Sequence, residues 1–369
     1  MKIAMIGQKG TPALSGGVER HVEEISKRLV EKGHEVTVYC RSTYSENRLD
    51  NYYGIKLRYI ATSPHKNFEA IIYTFRASIN VLFGKYDIIH YHALGPASLS
   101  FIPKLFGNKV VVTVHGLDWK RQKWGKFARL YLKLGEKIAA KFSNRIISVS
   151  ENLRNYLLSK YNINPIKIIY VPNGVNIGEL KEPKEIEKYK LTSGSYILFL
   201  ARLVPEKGAH YLIEAYKKLK TDKKLVIAGG SSYTDDYIKR LKQISSEKII
   251  FTGNVSGRML EELYSNAYVY VLPSDIEGMP ITLLEAMSYS RCCLVSDIPE
   301  NAQLIKDKLG FTFKRGDVMD LRQKMAYLLD KHRVVGYTGY LAHEAIKMEY
   351  NWDSVLEQTE RVYVDLFNE

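Results

Sequence analysis

Short apolar segments alternate with longer amphipathic segments along the whole chain, and this alternation is what most constrains the fold. In the first half, Lys2–Ile6 and Lys109–His115 are typical of buried strands, and Gly17–Lys32 is typical of an amphipathic helix. Strands separated by helices of this length pair in parallel, so the pattern predicts a doubly wound α/β sheet. Within it we also predict one extended segment at Tyr52–Ile60 and one helix at Pro96–Phe106.

A polar segment, Pro172–Lys190, interrupts the alternation, which then restarts at the predicted strand Tyr196–Arg202. A chain of 369 residues is also long for a single core. We therefore predict two Rossmann-like domains, residues 1–175 together with a C-terminal helix at about 352–369, and residues 176–351. Because ligands bind beyond the carboxyl ends of parallel strands, two such sheets facing each other predict a ligand cleft.

The net charge of +14 is concentrated in the first half of the chain. Residues 1–178 hold 27 Lys and Arg against 12 Asp and Glu, whereas residues 179–369 hold 27 against 28. Such asymmetry favours a polyanionic partner, either nucleic acid, an anionic membrane or a diphosphate substrate. The alternative is that the excess charge only keeps the surface solvated.

Membrane-spanning, secretory and metal-binding signatures are missing from the sequence. No apolar run approaches 18 residues, and the apolar run at the N-terminus is too short for a signal peptide. Cys40, Cys292 and Cys293 form neither a disulfide framework nor a metal-ligand spacing, and His90, His92 and His115 do not form a metal spacing either. We therefore expect a cytoplasmic protein with no metal site.

The segment PSDIEGMPITLLEAM, Pro273–Met287, carries two carboxylates around the start of a predicted buried helix. Pro280 suits the first helical position, where no N–H is needed. Glu277 precedes the helix, and Glu285 lies inside it among apolar residues, where a charge is costly unless it is hydrogen-bonded. The segment suggests a binding site; the alternative is a capping Glu followed by a Glu paired to a core Arg.

Two loops carry the chemistry expected of a phosphate site. Arg202 ends an apolar strand, and Lys207 follows five residues later in a Pro-containing turn, so the two cations could grip a diphosphate. Gly16 and Gly17 stand directly before a helix, whose N–H groups attract a phosphate. Ordinary surface charges and turn glycines are the alternatives, and the spacing fits neither the dinucleotide fingerprint nor the P-loop.

The first half also contains a histidine at a strand end and a basic, aromatic segment. His115 ends its predicted strand and could hydrogen-bond a sugar hydroxyl, although a structural role is the commoner one. Trp119–Lys141 holds eight Lys and Arg and a single acid, interleaved with aromatic and aliphatic residues. This composition is typical of a membrane-surface or anionic-ligand element, or of a solvated helix face. Nucleic acid is disfavoured because no nucleic-acid module motif is present.

Together these segments resemble the retaining, nucleotide-sugar-dependent glycosyltransferases of family 4. The resemblance covers essentially the whole chain and rests on an ordered set of motifs: GG before a helix, GHEVTVYC, VHG, PNGVN, ARLVPEKG, AGG, FTGNVS and PSDIEGMPITLLEAM. It implies the GT-B fold, in which two Rossmann-like domains face each other across a cleft and a C-terminal helix crosses back to the first domain. It also implies that the first domain binds the acceptor and the second the donor.

The resemblance implies roles for individual residues. Glu285 is expected to bind the donor ribose, and Glu277 the hydroxyls of the transferred sugar together with the N–H groups of Gly278 and Met279. The remaining donor contacts are expected as follows: Arg202 and Lys207 at the diphosphate, Gly16 and Gly17 at the same group, His115 beside the sugar, and the loop around Val255 at the nucleobase. Asn176 and Gly116 stand where the family often has Asp, and the second departure puts the contacts near His115 in doubt.

The implied activity is the transfer of a hexose to a glycan or lipid-linked acceptor in bacterial surface polysaccharide synthesis. The family retains stereochemistry by front-face attack, and the lack of an Asp-x-Asp motif predicts that no metal and no other cofactor is required. Trp119, Lys120, Arg121 and Lys123 are the predicted acceptor or membrane residues, placing the enzyme peripherally on the inner face of the cytoplasmic membrane. A nicotinamide oxidoreductase, a retaining glycosidase and a non-catalytic membrane- or nucleic-acid-binding protein are the rival hypotheses.

Overall fold

A computed structural model describes residues 1–14, 16–63, 66–120, 124–230, 235–244 and 246–369. The chain forms two compact units. The first comprises Met1–Gly174 and Trp352–Glu369, and the second comprises Val175–Asn351. Among the helices that the structure describes, none combines the length and the apolar character that crossing a bilayer requires.

The first unit is built on an eight-stranded sheet in the order β3-β4-β2-β1-β5-β6-β7-β8. All neighbours pair in parallel except β3 and β4, which are antiparallel. The strands are β1 (Lys2–Ile6), β2 (Glu35–Arg41), β3 (Asn51–Tyr52), β4 (Ile55–Ile60), β5 (Ile88–His92), β6 (Val110–Val114), β7 (Arg145–Ser148) and β8 (Ile168–Tyr170). The helices are α1 (Gly17–Glu31), α2 (Lys66–Asn80), α3 (Leu94–Ala97), α4 (Phe101–Leu105), α5 (Lys126–Phe142), α6 (Glu151–Tyr161) and, at the end of the chain, α14 (Trp352–Asn368).

Helices cover both faces of this sheet, and alternate residues of each strand face opposite layers. Ile3 and Met5 of β1 belong to the core under α1 and α14, which includes Tyr363. Ala4 and Ile6 belong to the core on the other face, under α2, α5 and α6. Burial on both faces explains why these strands appear in the sequence as continuous apolar runs.

The last helix, α14, is acidic and packs in the basic unit. Asp353 accepts from Arg28 Nε at 3.1 Å, and Glu360 accepts from Lys32 Nζ at 2.6 Å. With α14 included, the first unit holds 28 Lys and Arg against 17 Asp and Glu, and the second holds 26 against 23. The basic excess of the first unit is therefore +11 and smaller than the linear halves of the sequence suggested.

The second unit contains a six-stranded parallel sheet in the order β11-β10-β9-β12-β13-β14. Its strands are β9 (Tyr196–Leu200), β10 (Lys224–Ala228), β11 (Ile249–Gly253), β12 (Val269–Leu272), β13 (Cys293–Ser296) and β14 (Phe311–Phe313). Its helices are α7 (Ala209–Lys217), α8 (Asp235–Gln243), α9 (Gly257–Asn266), α10 (Ile281–Ser288), α11 (Pro299–Ala302), α12 (Val318–Asp330) and α13 (His332–Glu349).

Each sheet has one point at which the strand order reverses. Successive strands of the second unit run outward from β9 in one direction and from β12 in the other. In the first unit the reversal lies between β1 and β5. Loops beyond the carboxyl ends of such strand pairs diverge to opposite faces of the sheet and leave a crevice for a ligand.

Two of the predicted elements are wrong in detail. Tyr52–Ile60 forms the hairpin β3–β4 and not one strand, because Tyr53 and Gly54 take positive φ angles of 50° and 80° in a tight turn. The helix predicted at Pro96–Phe106 is divided into α3 and α4. Pro103 explains the division, because inside a longer helix it would lack a hydrogen-bond donor and clash with the preceding turn, whereas it lies in the first turn of α4.

Two glycines of α13 provide a matched test of its packing beside α10. A Cβ atom on Gly339 would lie 2.2 Å from the carbonyl oxygen of Ser290, in the turn after α10, whereas one on Gly336 meets nothing within 4 Å. We expect Gly339→Ala to lower the free energy of unfolding by about 1–3 kcal/mol. Gly336→Ala should raise it by about 0.5–1 kcal/mol, because alanine favours the helix. Urea denaturation measures both, and equal effects would contradict this packing.

Candidate active site

Lys207 and Glu277 form a largely buried ion pair at the strand-order reversal of the second unit. Lys207 follows β9 and Glu277 follows β12, and these two strands are neighbours in the sheet. Lys207 Nζ lies 2.5 and 2.6 Å from the two carboxylate oxygens of Glu277, whose side chain is 6% exposed. Ser274 Oγ donates to Glu277 Oε1 at 2.7 Å. The sequence predicts separate ligand contacts for these two residues, whereas in the structure they contact each other.

The two loops that carry this pair are held together through their backbones. Gly208 has a φ of 71°, and a Cβ atom there would lie 2.0 Å from the carbonyl oxygen of Pro273, so only glycine allows the loops to approach this closely. Asp275 N donates to the carbonyl oxygen of Glu206 at 2.8 Å. These contacts preorganise the cation and the carboxylate before any ligand binds.

Glu285 lies half-buried on α10 and accepts a hydrogen bond from Tyr264 of α9, with 2.8 Å between Tyr264 Oη and Glu285 Oε2. Burial, together with the negative charge of Glu285, raises the pKa of Tyr264 well above its ordinary value, so the hydroxyl remains a donor. Tyr264 therefore accounts for a carboxylate in an otherwise apolar helix. Tyr264 is not among the residues predicted from the sequence, because the sequence positions of α9 and α10 do not indicate which of their side chains meet.

The other predicted donor residues of the second unit lie on loops at the carboxyl ends of its strands. Arg202 is exposed two residues after β9, and Val255 lies half-buried between β11 and α9. Gly278 and Met279 connect Glu277 to α10, and the side chain of Met279 is buried. Pro280 is the residue before the helix, because α10 begins at Ile281, one position later than predicted.

Asp275 is a further titratable group at this edge that the sequence analysis did not single out. Its Oδ2 accepts from Tyr211 Oη at 3.3 Å, and Arg315 and His210 lie close enough to interact with its charge. Burial raises the pKa of Asp275 despite these partners. The carboxylate adds negative charge beside the Lys207 loop and therefore limits how much anionic charge a ligand can bring there.

In the first unit, Gly16 and Gly17 stand at the start of α1 as predicted from the sequence. Gly16 precedes the helix with a φ of 101° and Gly17 is its first residue, and both are exposed. The carboxylate of Glu19 lies beside Gly16 and accepts from the Lys9 N–H at 3.2 Å. A phosphate at this helix start therefore has to coexist with Glu19 or displace it.

His115 is part of a cluster of histidines at the strand-order reversal of the first unit. His92 Nδ1 lies 3.2 Å from His115 Nε2, and the ring of His21, on α1, lies 5.0 Å from that of His115. Burial lowers the pKa of His21 to about 4 and that of His92 well below its ordinary value. These two rings are therefore neutral at neutral pH.

The loop after His115 is attached to the unit by a buried carboxylate. Glu136 of α5 has no exposed surface and accepts from Trp119 Nε1 at 2.7 Å, Tyr161 Oη at 2.8 Å and Lys160 Nζ at 2.7 Å. Trp119 is half-buried in this network and Lys120 is exposed beside it. The predicted contact residues Arg121 and Lys123 lie outside the described residues.

The buried ion pair can be tested against an exposed one by double-mutant cycles. Lys207→Met and Glu277→Gln should each lower the free energy of unfolding by about 3 kcal/mol, because each removes one charge of a largely buried ion pair. The double variant should recover most of that loss. The matched control is the exposed pair between Glu214 of α7 and Lys218, the residue after that helix, for which we expect a coupling below about 0.5 kcal/mol. Equal coupling energies in the two cycles would contradict the role given to burial.

Comparison with known proteins identifies both halves of the chain. Residues 15–179 match the model for Glycosyltransferase Family 4, and residues 181–344 match the model for Glycosyl transferases group 1. An uncharacterized glycosyltransferase of Methanocaldococcus jannaschii is 28% identical over 98% of both chains. The UDP-Gal:alpha-D-GlcNAc-diphosphoundecaprenol alpha-1,3-galactosyltransferase of Escherichia coli is 28% identical over 76% of both chains.

The fold is also that of solved structures. The Anabaena protein HepE, in complex with UDP and glucose, superposes with a TM-score of 0.83 at 16% identity, covering 99% of this chain and 100% of HepE. The superposition confirms the predicted fold class, and the two family models confirm the predicted family. The family models, and not the fold, argue against the oxidoreductase, glycosidase and non-catalytic hypotheses. The two family models together cover most of the sequence, and the chain accordingly belongs to the family 4, group 1 glycosyltransferases of the GT-B fold.

Proposed function

We propose that the protein is a retaining glycosyltransferase that moves a hexose from a nucleoside-diphosphate sugar to a lipid-linked or oligosaccharide acceptor. The observation that carries the proposal is the Lys207–Glu277 pair at the strand-order reversal of the second unit, with Glu285 on the helix that follows. This arrangement offers a cation for a diphosphate and two carboxylates for hydroxyl groups. The diphosphoundecaprenol-linked acceptor in the name of the Escherichia coli relative supports a lipid-linked acceptor.

The cations act on the leaving group. A nucleoside diphosphate gains negative charge as the bond to the sugar breaks, and fixed cations aimed at that charge lower the barrier. Lys207 is held by Glu277 and does not have to be ordered when the donor binds. Arg202, on the same loop, adds a planar guanidinium that can contact two phosphate oxygens at once.

The carboxylates orient the two ends of the donor. Glu285 accepts hydrogen bonds from the ribose hydroxyls, and Tyr264 fixes the carboxylate for that contact. Glu277, with the N–H groups of Gly278 and Met279, holds hydroxyls of the transferred sugar. The loop at Val255 contacts the nucleobase. In the first unit, the assignments of Gly16 and Gly17 to the diphosphate and of His115 to the sugar stay predictions from the family resemblance.

Both oxygens of Glu277 are engaged by Lys207, which bears on the mechanism. A carboxylate that shares its charge with an ammonium group at hydrogen-bond distance is a weak nucleophile. This favours front-face attack, in which the departing phosphate accepts the proton of the acceptor hydroxyl, and makes Glu277 a positioning group. Because fixed cations neutralise the leaving group, we propose that transfer requires no metal ion or other cofactor.

The leaving-group assignment predicts a large kinetic effect of Arg202. Arg202→Ala should reduce turnover about a hundred- to a thousandfold, because one group that stabilises the transition-state charge is removed. The measurement is release of UDP, GDP or dTDP from a panel of nucleotide sugars, with EDTA present and absent. Lys218→Ala, which replaces an exposed residue directly after α7, is the control with unchanged activity. Near-normal turnover of a folded Arg202→Ala variant would refute the assignment.

A second part of the proposal is peripheral binding to the inner face of the cytoplasmic membrane, within surface polysaccharide synthesis. One face of α5 exposes Phe127, Leu130 and Leu134 at helical spacing. The same helix also exposes five cations, Lys126, Arg129, Lys133, Lys137 and Lys141. Large apolar side chains among lysines on one exposed helix face are typical of interfacial binding to anionic lipid. Trp119, by contrast, is half-buried and donates its indole N–H to Glu136.

Vesicle binding tests this surface. Phe127→Ser with Leu130→Ser should weaken co-sedimentation with vesicles containing phosphatidylglycerol by about tenfold or more, because two apolar side chains no longer enter the lipid. The control carries Tyr337→Ser and Met348→Ser, which replace exposed residues of α13 in the second unit. If the wild-type protein fails to bind at low salt, or if both double variants bind alike, this surface does not contact the membrane.

A further inference from the structure

We infer that His21, His92 and His115 form a binding site for a transition-metal ion in the first unit. Each residue offers one ring nitrogen, and the three nitrogens lie within 4.8 Å of one another. The spacing of His90, His92 and His115 in the sequence predicts no metal site. His21 lies on α1, far from His92 and His115 in the sequence, and it meets them only in the folded unit.

The fold explains why these three rings converge. His92 ends β5 and His115 follows β6, and these strands pair in parallel, so both side chains lie at the same edge of the sheet. His21 lies in the second turn of α1, the helix that follows β1, and β1 is the other neighbour of β5. The cluster therefore occupies the strand-order reversal of the sheet, where ligands bind in folds of this type.

The distances suit a tetrahedral ion. Two nitrogens bound to zinc at 2.0–2.1 Å lie about 3.3 Å apart. His92 Nδ1 and His115 Nε2 are 3.2 Å apart. His21 Nδ1 is buried without a hydrogen-bond partner among the described residues. Such a group costs free energy that a bound ion would recover. The nitrogen of His21 lies within 4.8 Å of the other two, so binding requires a side-chain shift of only about 1–2 Å.

The donor set determines the class of ion. Three imidazoles with no carboxylate favour Zn²⁺, Co²⁺, Ni²⁺ or Cu²⁺ and disfavour Mg²⁺ and Ca²⁺, which prefer oxygen. His90 is not a fourth ligand, because Tyr363 Oη and Thr113 Oγ1 occupy its ring nitrogens at 2.6 and 2.7 Å. Three protein ligands leave a coordination position for water or another small ligand.

Metal binding has a consequence that rests on the proposed function. The ion would take the Nε2 atom of His115, the residue assigned to the donor sugar, and would hold that ring toward His92. We therefore expect the ion to inhibit transfer and not to support it. Binding itself is independent of that assignment and is measured without any substrate.

Titration of the full-length, untagged chain with CoCl₂ tests the site through the visible absorption of Co²⁺. We expect one equivalent of Co²⁺ to produce the intense absorption of tetrahedral coordination and Zn²⁺ to abolish it. His21→Asn and His92→Asn should each weaken binding about a hundredfold or more, since each removes one of three ligands. His332→Asn, which removes an exposed histidine of the second unit, should bind as the wild type does. Equal binding by wild type and His21→Asn would overturn the site.

Two further measurements keep the inference testable. If His92→Asn does not fold, the test is thermal unfolding with and without Zn²⁺. Zn²⁺ should raise the melting temperature of the wild type, because an ion that binds only the folded state stabilises it. It should not raise the melting temperature of His21→Asn. Saturating Zn²⁺ should inhibit the wild-type transferase and leave His21→Asn active. Tight Co²⁺ binding without inhibition by Zn²⁺ would retain the site and overturn the role of His115 at the donor.

Discussion

Parallel strand pairing is the constraint on which the rest of this protein depends. Because all carboxyl ends of a parallel sheet lie along one edge, residues far apart in the sequence meet there, and the reversal of strand order selects which loops meet. In the second unit β9 and β12 are neighbours, which brings Lys207 to Glu277. In the first unit β1, β5 and β6 bring together His21, His92 and His115. Both candidate sites thus follow from strand order.

Glu277, Glu285 and Glu136 each accept a hydrogen bond from a side chain of another segment of the chain. Lys207 and Ser274 donate to Glu277, and Tyr264 donates to Glu285. Glu136 accepts from the indole of Trp119 and from three further polar side chains, those of Tyr156, Lys160 and Tyr161. An isolated charge in an apolar surrounding costs several kcal/mol, so each carboxylate implies a partner. The sequence shows a charged residue among apolar residues, as it does for Glu285. The residue that donates a hydrogen bond to it is known only from the packing of the helices.

The charge of the first unit is another property that the sequence shows only in part. Its basic excess is evident from composition, but the acidic α14 returns from the end of the chain and offsets part of it through Arg28, Lys32 and His34. The remaining cations are concentrated on exposed faces, including that of α5. The contacts of α14 therefore show which basic side chains are paired within the unit. Only the remaining basic side chains are available to a binding partner.

Periodicity along the sequence predicted the α/β class, and the interruption at Pro172–Lys190 predicted two units. The motif Pro273–Met287 marked Glu277 and Glu285 as candidate site residues. These predictions were possible because periodicity and local motifs are properties of residues that are neighbours in the chain. The tertiary structure decided what each of those residues touches. It paired Lys207 with Glu277, supplied Tyr264 to Glu285 and added His21 to two histidines that the sequence had set aside. The physical reason is that hydrogen bonds and ion pairs act over a few ångströms in space, and only the packing of strands and helices sets which side chains come that close.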